Sequence, residues 1–169
     1  MIATLLAEAP WLVRAVLIAV VVASPFAAFW LDSRRRATWI ATCLSGVAIG
    51  ALTLVPDRPR DDRMCVLSVT PTEMLGPEPA ANVLLFVPFA IALTVLLKRP
   101  VIAFLVGMGA SAVIESAQWL VPAIGRSCTS TDWIANTSGA LLGAALAVAG
   151  IWAAARRDDS PSRRAWRRH

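Results

Sequence analysis

The sequence predicts an all-α polytopic membrane bundle of about five transmembrane helices, with the N-terminus outside and the C-terminus inside. Three observations lead there: an apolar composition, apolar runs of membrane-spanning length, and basic residues gathered between those runs. Hydrophobic residues fill 57% of the 169 positions, charged residues 16%, and mean hydropathy is +0.65. Soluble domains reach only about 45–50% apolar even with Gly counted. Such a composition excludes a disordered chain and disfavours an ordinary soluble globule. The pI near 10.4 would suit a nucleic-acid binder. The 16 Lys and Arg, however, lie in short clusters rather than along one stripe, so no nucleic-acid partner is expected.

The first apolar run covers about residues 11–31. A cleaved signal peptide is the competing reading. Its charged leader would be poor (Arg14 preceded by Glu8), and the run is longer than a signal core, which favours a retained helix. The second run covers about 37–55 and carries Cys43, expected to serve as a small apolar residue, and a GxxxG at Gly46 and Gly50. Residues 56–80 hold five of the 11 Pro and are too polar for lipid, so an outer loop without regular structure is expected. The third run, about 81–97, is short and contains Pro88, a site for a tilt or kink. The fourth and fifth runs cover about 100–125 and 133–155. Each run approaches or exceeds the ~17 residues that cross a ~30 Å hydrocarbon core as a helix. Only helices do so with open chain ends, because lipid offers no partner to backbone amides. The chain then divides into a first helix with an Arg-rich loop (1–36), a four-helix domain (37–155) and a basic tail (156–169).

Orientation follows from Lys and Arg. With the tail inside, the inner segments hold eleven (Arg34, Arg35, Arg36, Lys98, Arg99 and six Arg from Arg156 onward). The outer segments hold five: Arg14, Arg58, Arg60, Arg63 and Arg126. Trp11, Trp30, Trp39, Trp133 and Trp152 fall at span ends, where amphipathic rings prefer to sit.

Cys65 and Cys128 both fall in the loops that charge alone places outside, where oxidation is expected; a disulfide between them is favoured over two free thiols or a metal pair. The chain's one His is His169, so a zinc site lacks ligands and no metal is expected.

Glu115 is the residue least suited to its surroundings. It lies ~24 Å above the start of the fourth span at 1.5 Å per residue. A carboxylate there costs roughly 2.5–3.5 kcal/mol on insertion scales and belongs on an inward face. Ser111, Glu115, Gln118, Pro122 and Arg126 share one helical stripe, and so do Asp132, Asn136, Gly139, Gly143 and Ala147 in the fifth span. With Asn82 opening the third span, the expected polar cleft in the outer half of the bundle is Asn82, Glu115, Gln118, Arg126, Asp132 and Asn136. Gly139 and Gly143, like Gly46 and Gly50, are expected at close helix contacts. Plain interhelical hydrogen bonding is the alternative for the amides. No phosphate loop, H-E-x-x-H or G-x-S-x-G is present, and no catalytic residue or cofactor is assigned.

Three blocks, NVLLFVP (82–88), IESAQ (114–118) and GR followed by DWIANTSGALLG (125–126 and 132–143), together resemble the VanZ-like family of small multipass bacterial membrane proteins. The resemblance spans about residues 37–155. The family pattern N-x-x-L-F-x-P-x-G meets Ala90 here in place of its Gly. The resemblance implies a cytoplasmic-membrane location and a link to teicoplanin resistance, and it carries no established enzyme activity. The favoured expectation is a non-enzymatic envelope protein. Its cleft would engage an amphiphile: a lipid-linked precursor, a phospholipid or a lipoglycopeptide such as teicoplanin. Arg126 would attract an anionic head group. An intramembrane enzyme or proton-coupled lipid flippase using Glu115 is a second reading, and a structural or assembly subunit a third. Membrane lipids are expected partners; the oligomeric state is left open.

Overall fold

The computed structural model describes residues 10–54, 56, 65–125 and 128–158. Five long helices are apolar and long enough to cross a membrane. They are α1 (Pro10–Asp32), α2 (Arg35–Leu54), α4 (Pro77–Leu97), α5 (Pro100–Leu120) and α6 (Ser130–Asp158). A four-residue helix, α3 (Pro71–Met74), precedes α4, and a 3-10 turn (Pro122–Ile124) follows α5. Two-residue strands β1 (Cys65–Val66) and β2 (Cys128–Thr129) pair in parallel.

Two tight hairpins close one end of the bundle. Between α1 and α2, the buried Thr38 donates from Oγ1 to Leu31 O at 2.9 Å, and its own N–H returns to Arg34 O at 3.0 Å. Between α4 and α5, Lys98 takes a left-handed conformation (φ 56°) and its N–H closes on Thr94 O; Pro100 then starts α5, where a missing N–H costs nothing. Lys98 also pairs with Asp32, tying the two hairpins together. The connections before α4 and before α6 meet at the opposite end, here termed the loop end, where β1 pairs with β2.

Helix α4 sits at the centre and packs on α1, α2, α5 and α6. Beyond Asn82 its residues are apolar on every side except for Thr94, as suits a helix surrounded by others; Phe86, Val87 and Ala90 are fully buried. α6 lies closest to it because small residues line the seam. A Cβ on Gly139 would stand 2.5 Å from Val83 O, and one on Gly143 would stand 2.5 Å from Val87 O. Ala28, Val87, Ile91, Val95 and Ala147 form one apolar cluster, and Ile49, Phe86, Ala90, Ile114 and Ala140 another. The outward faces of the spans carry exposed Leu, Val, Ile and Trp, the surface that lipid would cover.

Two expectations need correction. Residues 56–80 are not structureless: they include β1, α3 and the first turn of α4. Thr70 and Glu73 form a capping box on α3, each side chain bonding the other's backbone N–H, and Pro71 and Pro77 occupy helix starts rather than breaking structure. α5 ends at Leu120 rather than near 125, because Pro122 follows and disfavours helix in the residue before it. Pro88, the expected site of a tilt or kink, lies inside α4.

Candidate functional site

A polar seam runs between α5 and its neighbours in the half of the bundle nearest the loop end. Ser111, Glu115 and Gln118 are all buried, one helical turn apart on α5. Each reaches a different segment. Asn136 Nδ2 of α6 donates to Ser111 Oγ at 3.0 Å. Glu115 Oε2 accepts the backbone N–H of Thr129 at 2.8 Å. Gln118 Nε2 donates to Thr53 O at 3.0 Å, satisfying a carbonyl in the last turn of α2. Asp132 stands in the first turn of α6. Its Oδ1 accepts from Asn82 Nδ2 at 2.6 Å, joining the start of α4 to the start of α6.

The cleft residues inferred from sequence therefore fall into three linked groups: Asn82 with Asp132, Asn136 with Ser111, and Glu115 with Thr129. Gln118 stands at the α2 side. Arg126, the sixth, lies outside the described residues. With α5 ending at Leu120, the helical stripe expected to reach Arg126 stops at Gln118.

Thr129 has two roles. Its hydroxyl accepts the N–H of Asp132 at 2.9 Å and so caps α6, while its own N–H serves Glu115. Cys128 precedes it and is bonded to Cys65, with the two Cα atoms 4.5 Å apart. Among the described residues, buried Asn136 Oδ1, Thr137 Oγ1 and Thr94 Oγ1 have no hydrogen-bond partner. Exchanging the two ends of the Asn136 amide leaves one end unpartnered either way.

A cavity of about 390 Å³ opens at the loop end. The strand residue Val66 and the capping Thr129 form part of its wall, and the starts of α4 (Gly76–Pro79) and α6 (Thr131, Asp132) form another part. Its carboxylates, Glu73, Glu78 and Asp132, each sit in the first turn of a helix, where the macrodipole offsets their charge. Arg14 of α1 donates to Leu75 O at 2.7 Å beside this wall. The cavity meets the buried seam through Thr129 and Asp132, which belong to both.

The glycines divide. Gly139 and Gly143 face the α4 backbone, and a Cβ on Gly46 would stand 3.6 Å from the Phe89 ring, an ordinary contact. Gly50 has no heavy atom within 4 Å of where a Cβ would stand, so the α2 motif is not a continuous contact. Two contacts escaped the sequence reading. A Cβ on Gly107 would stand 2.6 Å from Ala140 Cβ, and one on Gly150 2.5 Å from Pro25 O of α1. The signal was there: Gly107 extends the Ser111–Glu115 stripe by one turn, and Gly150 lies two turns beyond Gly143. Cys43 is a free thiol on an exposed face of α2. Among the described residues, no group of three or more His, Cys, Asp or Glu could hold a metal ion.

Fold and seam together define a small multi-pass membrane protein whose helices enclose polar side chains beneath a cavity at one end. The chain belongs to the VanZ/LLP1 family, whose model matches residues 11–153 and so takes in nearly all of the five spans. No curated protein and no solved structure matches the chain.

Proposed function

We propose that the protein is a bacterial cytoplasmic-membrane protein, N-terminus out and C-terminus in, that binds the polar end of an amphiphile at the outer leaflet. The observation carrying this reading is the cavity of about 390 Å³ that shares Thr129 with the buried polar seam around Glu115. Binding sites are mostly apolar hollows with a few fixed polar groups, and this one has both. The orphaned amide end of Asn136 adds to the case. Such a group costs roughly 1–3 kcal/mol when left unpaired, so a ligand atom that reached it would recover that cost. Lipid-linked precursors, phospholipids and lipoglycopeptides such as teicoplanin share the required chemistry, a polar head on an apolar tail. Their tails would lie along the apolar helix faces while Glu115, Asn136 and Asp132 orient the head, with Arg126 supplying positive charge. In this reading the protein contributes to glycopeptide resistance by engaging the acylated drug or the lipid it acts on.

A second reading, proton-coupled lipid movement or intramembrane chemistry at Glu115, is favoured by one observation: a buried carboxylate reaches the cavity wall through a single backbone donor. The assembly-factor reading loses support because the Gly139 and Gly143 face is occupied within the chain by α4.

The test compares cells lacking the protein with cells carrying the wild type or Glu115→Gln at matched membrane levels, for susceptibility to teicoplanin and vancomycin. Selective protection against teicoplanin by wild type, lost in the Gln variant, is the expected result. Equal protection by both would remove Glu115 from the mechanism, and no protection by either would remove the resistance role. pH-dependent lipid transfer in vesicles, abolished in Glu115→Gln, would favour the second reading.

A further inference from the structure

The covalent bond nearest to Glu115 that can be broken reversibly is the one between Cys65 and Cys128. The two cysteines are the paired first residues of β1 and β2, and the residues that follow them, Val66 and Thr129, both line the cavity. Thr129 is also the donor to Glu115. One disulfide therefore fixes the cavity wall and the group that covers the buried carboxylate. Among the described residues, little else holds β1. Residues 65–73 are all exposed, and the strand offers only two residues for pairing. Farther along, the connection is held again where Arg14 bonds Leu75 O. The five helices, by contrast, are fixed by apolar clusters and glycine seams that do not involve either cysteine.

We infer that the Cys65–Cys128 disulfide is a redox-sensitive clamp: reduction releases β1 from β2, opens the cavity wall and gives solvent access to Glu115 while the bundle stays folded. Cys65 is exposed, so a reductant can reach it. A dithiol suffices for the step. One of its thiolates attacks Cys65 Sγ, the S–S bond breaks, and Cys128 leaves as a thiolate that takes up a proton. The second thiol of the reductant then displaces Cys65, giving two cysteine thiols and the oxidised dithiol. Oxidation by a disulfide-bearing partner reverses it. The clamp acts on the geometry around Glu115 and does not depend on which ligand the cavity takes.

The experiment uses the full chain in phospholipid nanodiscs and a water-soluble carbodiimide. Labelling of Glu115 is followed by mass spectrometry of its peptide, with Glu115→Gln as the blank. In the oxidised protein labelling should be slow. Dithiothreitol should speed it about tenfold, as local opening does for a buried group, and reoxidation should restore the slow rate. The double variant Cys65→Ser with Cys128→Ser should label fast without reductant. Equal rates in both redox states overturn the inference. So does a faster rate accompanied by loss of helical circular dichroism, because the disulfide would then hold the whole bundle. Absence of teicoplanin protection by the wild-type protein, with the redox effect intact, would sink the proposed function and leave the clamp standing.

Discussion

Gly139 and Gly143 show how one atom decides the distance between two helices. A methyl at either position would sit 2.5 Å from a carbonyl oxygen of α4, and a backbone cannot swing aside as a side chain can. Gly143→Ala should destabilise the protein by about 1–3 kcal/mol, the usual cost of overpacking. Gly50→Ala, with open space around it, should be neutral or slightly stabilising. Thermal unfolding in mild detergent checks both; equal midpoints for the two variants would mean the α4–α6 seam is looser than described. Both glycines occur in the same sequence pattern, so the motif identified candidates and only the neighbouring helix separated the tight position from the open one. At Asn82, removal of the amide in Asn82→Ala takes a 2.6 Å donor from Asp132 and should cost about 1–3 kcal/mol, measured in the same way.

Among the elements, the spans were legible because lipid imposes a length and a composition, and both are written along the chain. The boundaries of α1, α2 and α4 differ from the apolar runs by only a few residues, because flanking Arg and Pro mark the ends. The loop before α4 was less legible. A high Pro content reads as irregular structure, yet two of those prolines begin helices, and the Thr70–Glu73 capping box that supports the first of them is a short signal easily passed over. The hairpin between α1 and α2 depends on a hydroxyl: Thr38→Val keeps the shape but removes the bond to Leu31 O. It should cost about 1 kcal/mol. Chemical-denaturant unfolding would detect that loss, and an unchanged midpoint would assign the hairpin to packing alone.

For the whole molecule, the arrangement of five spans places both long connections at one end and both hairpins at the other. Charge counting proposes that the hairpin end faces the cytoplasm. A C-terminal fluorescent-protein fusion should then be bright and a C-terminal alkaline-phosphatase fusion inactive. The reverse pair of results would turn the molecule over and set the disulfide in a reducing compartment, where it would not persist.

Sequence by itself determined the class of protein, the number of spans, the family, the cysteines to be joined and the inward stripes, on α5 only as far as Gln118. These are properties of composition and of a helix's own period, so each can be read one segment at a time. Tertiary structure decided what those stripes meet. Thr129 as donor to Glu115, Thr53 O as acceptor for Gln118, the cavity between β1 and the starts of α4 and α6, and the contacts of Gly107 and Gly150 all join segments far apart in the chain. Backbone groups supply several of these contacts, and every residue has the same backbone, so no choice of side chain announces them.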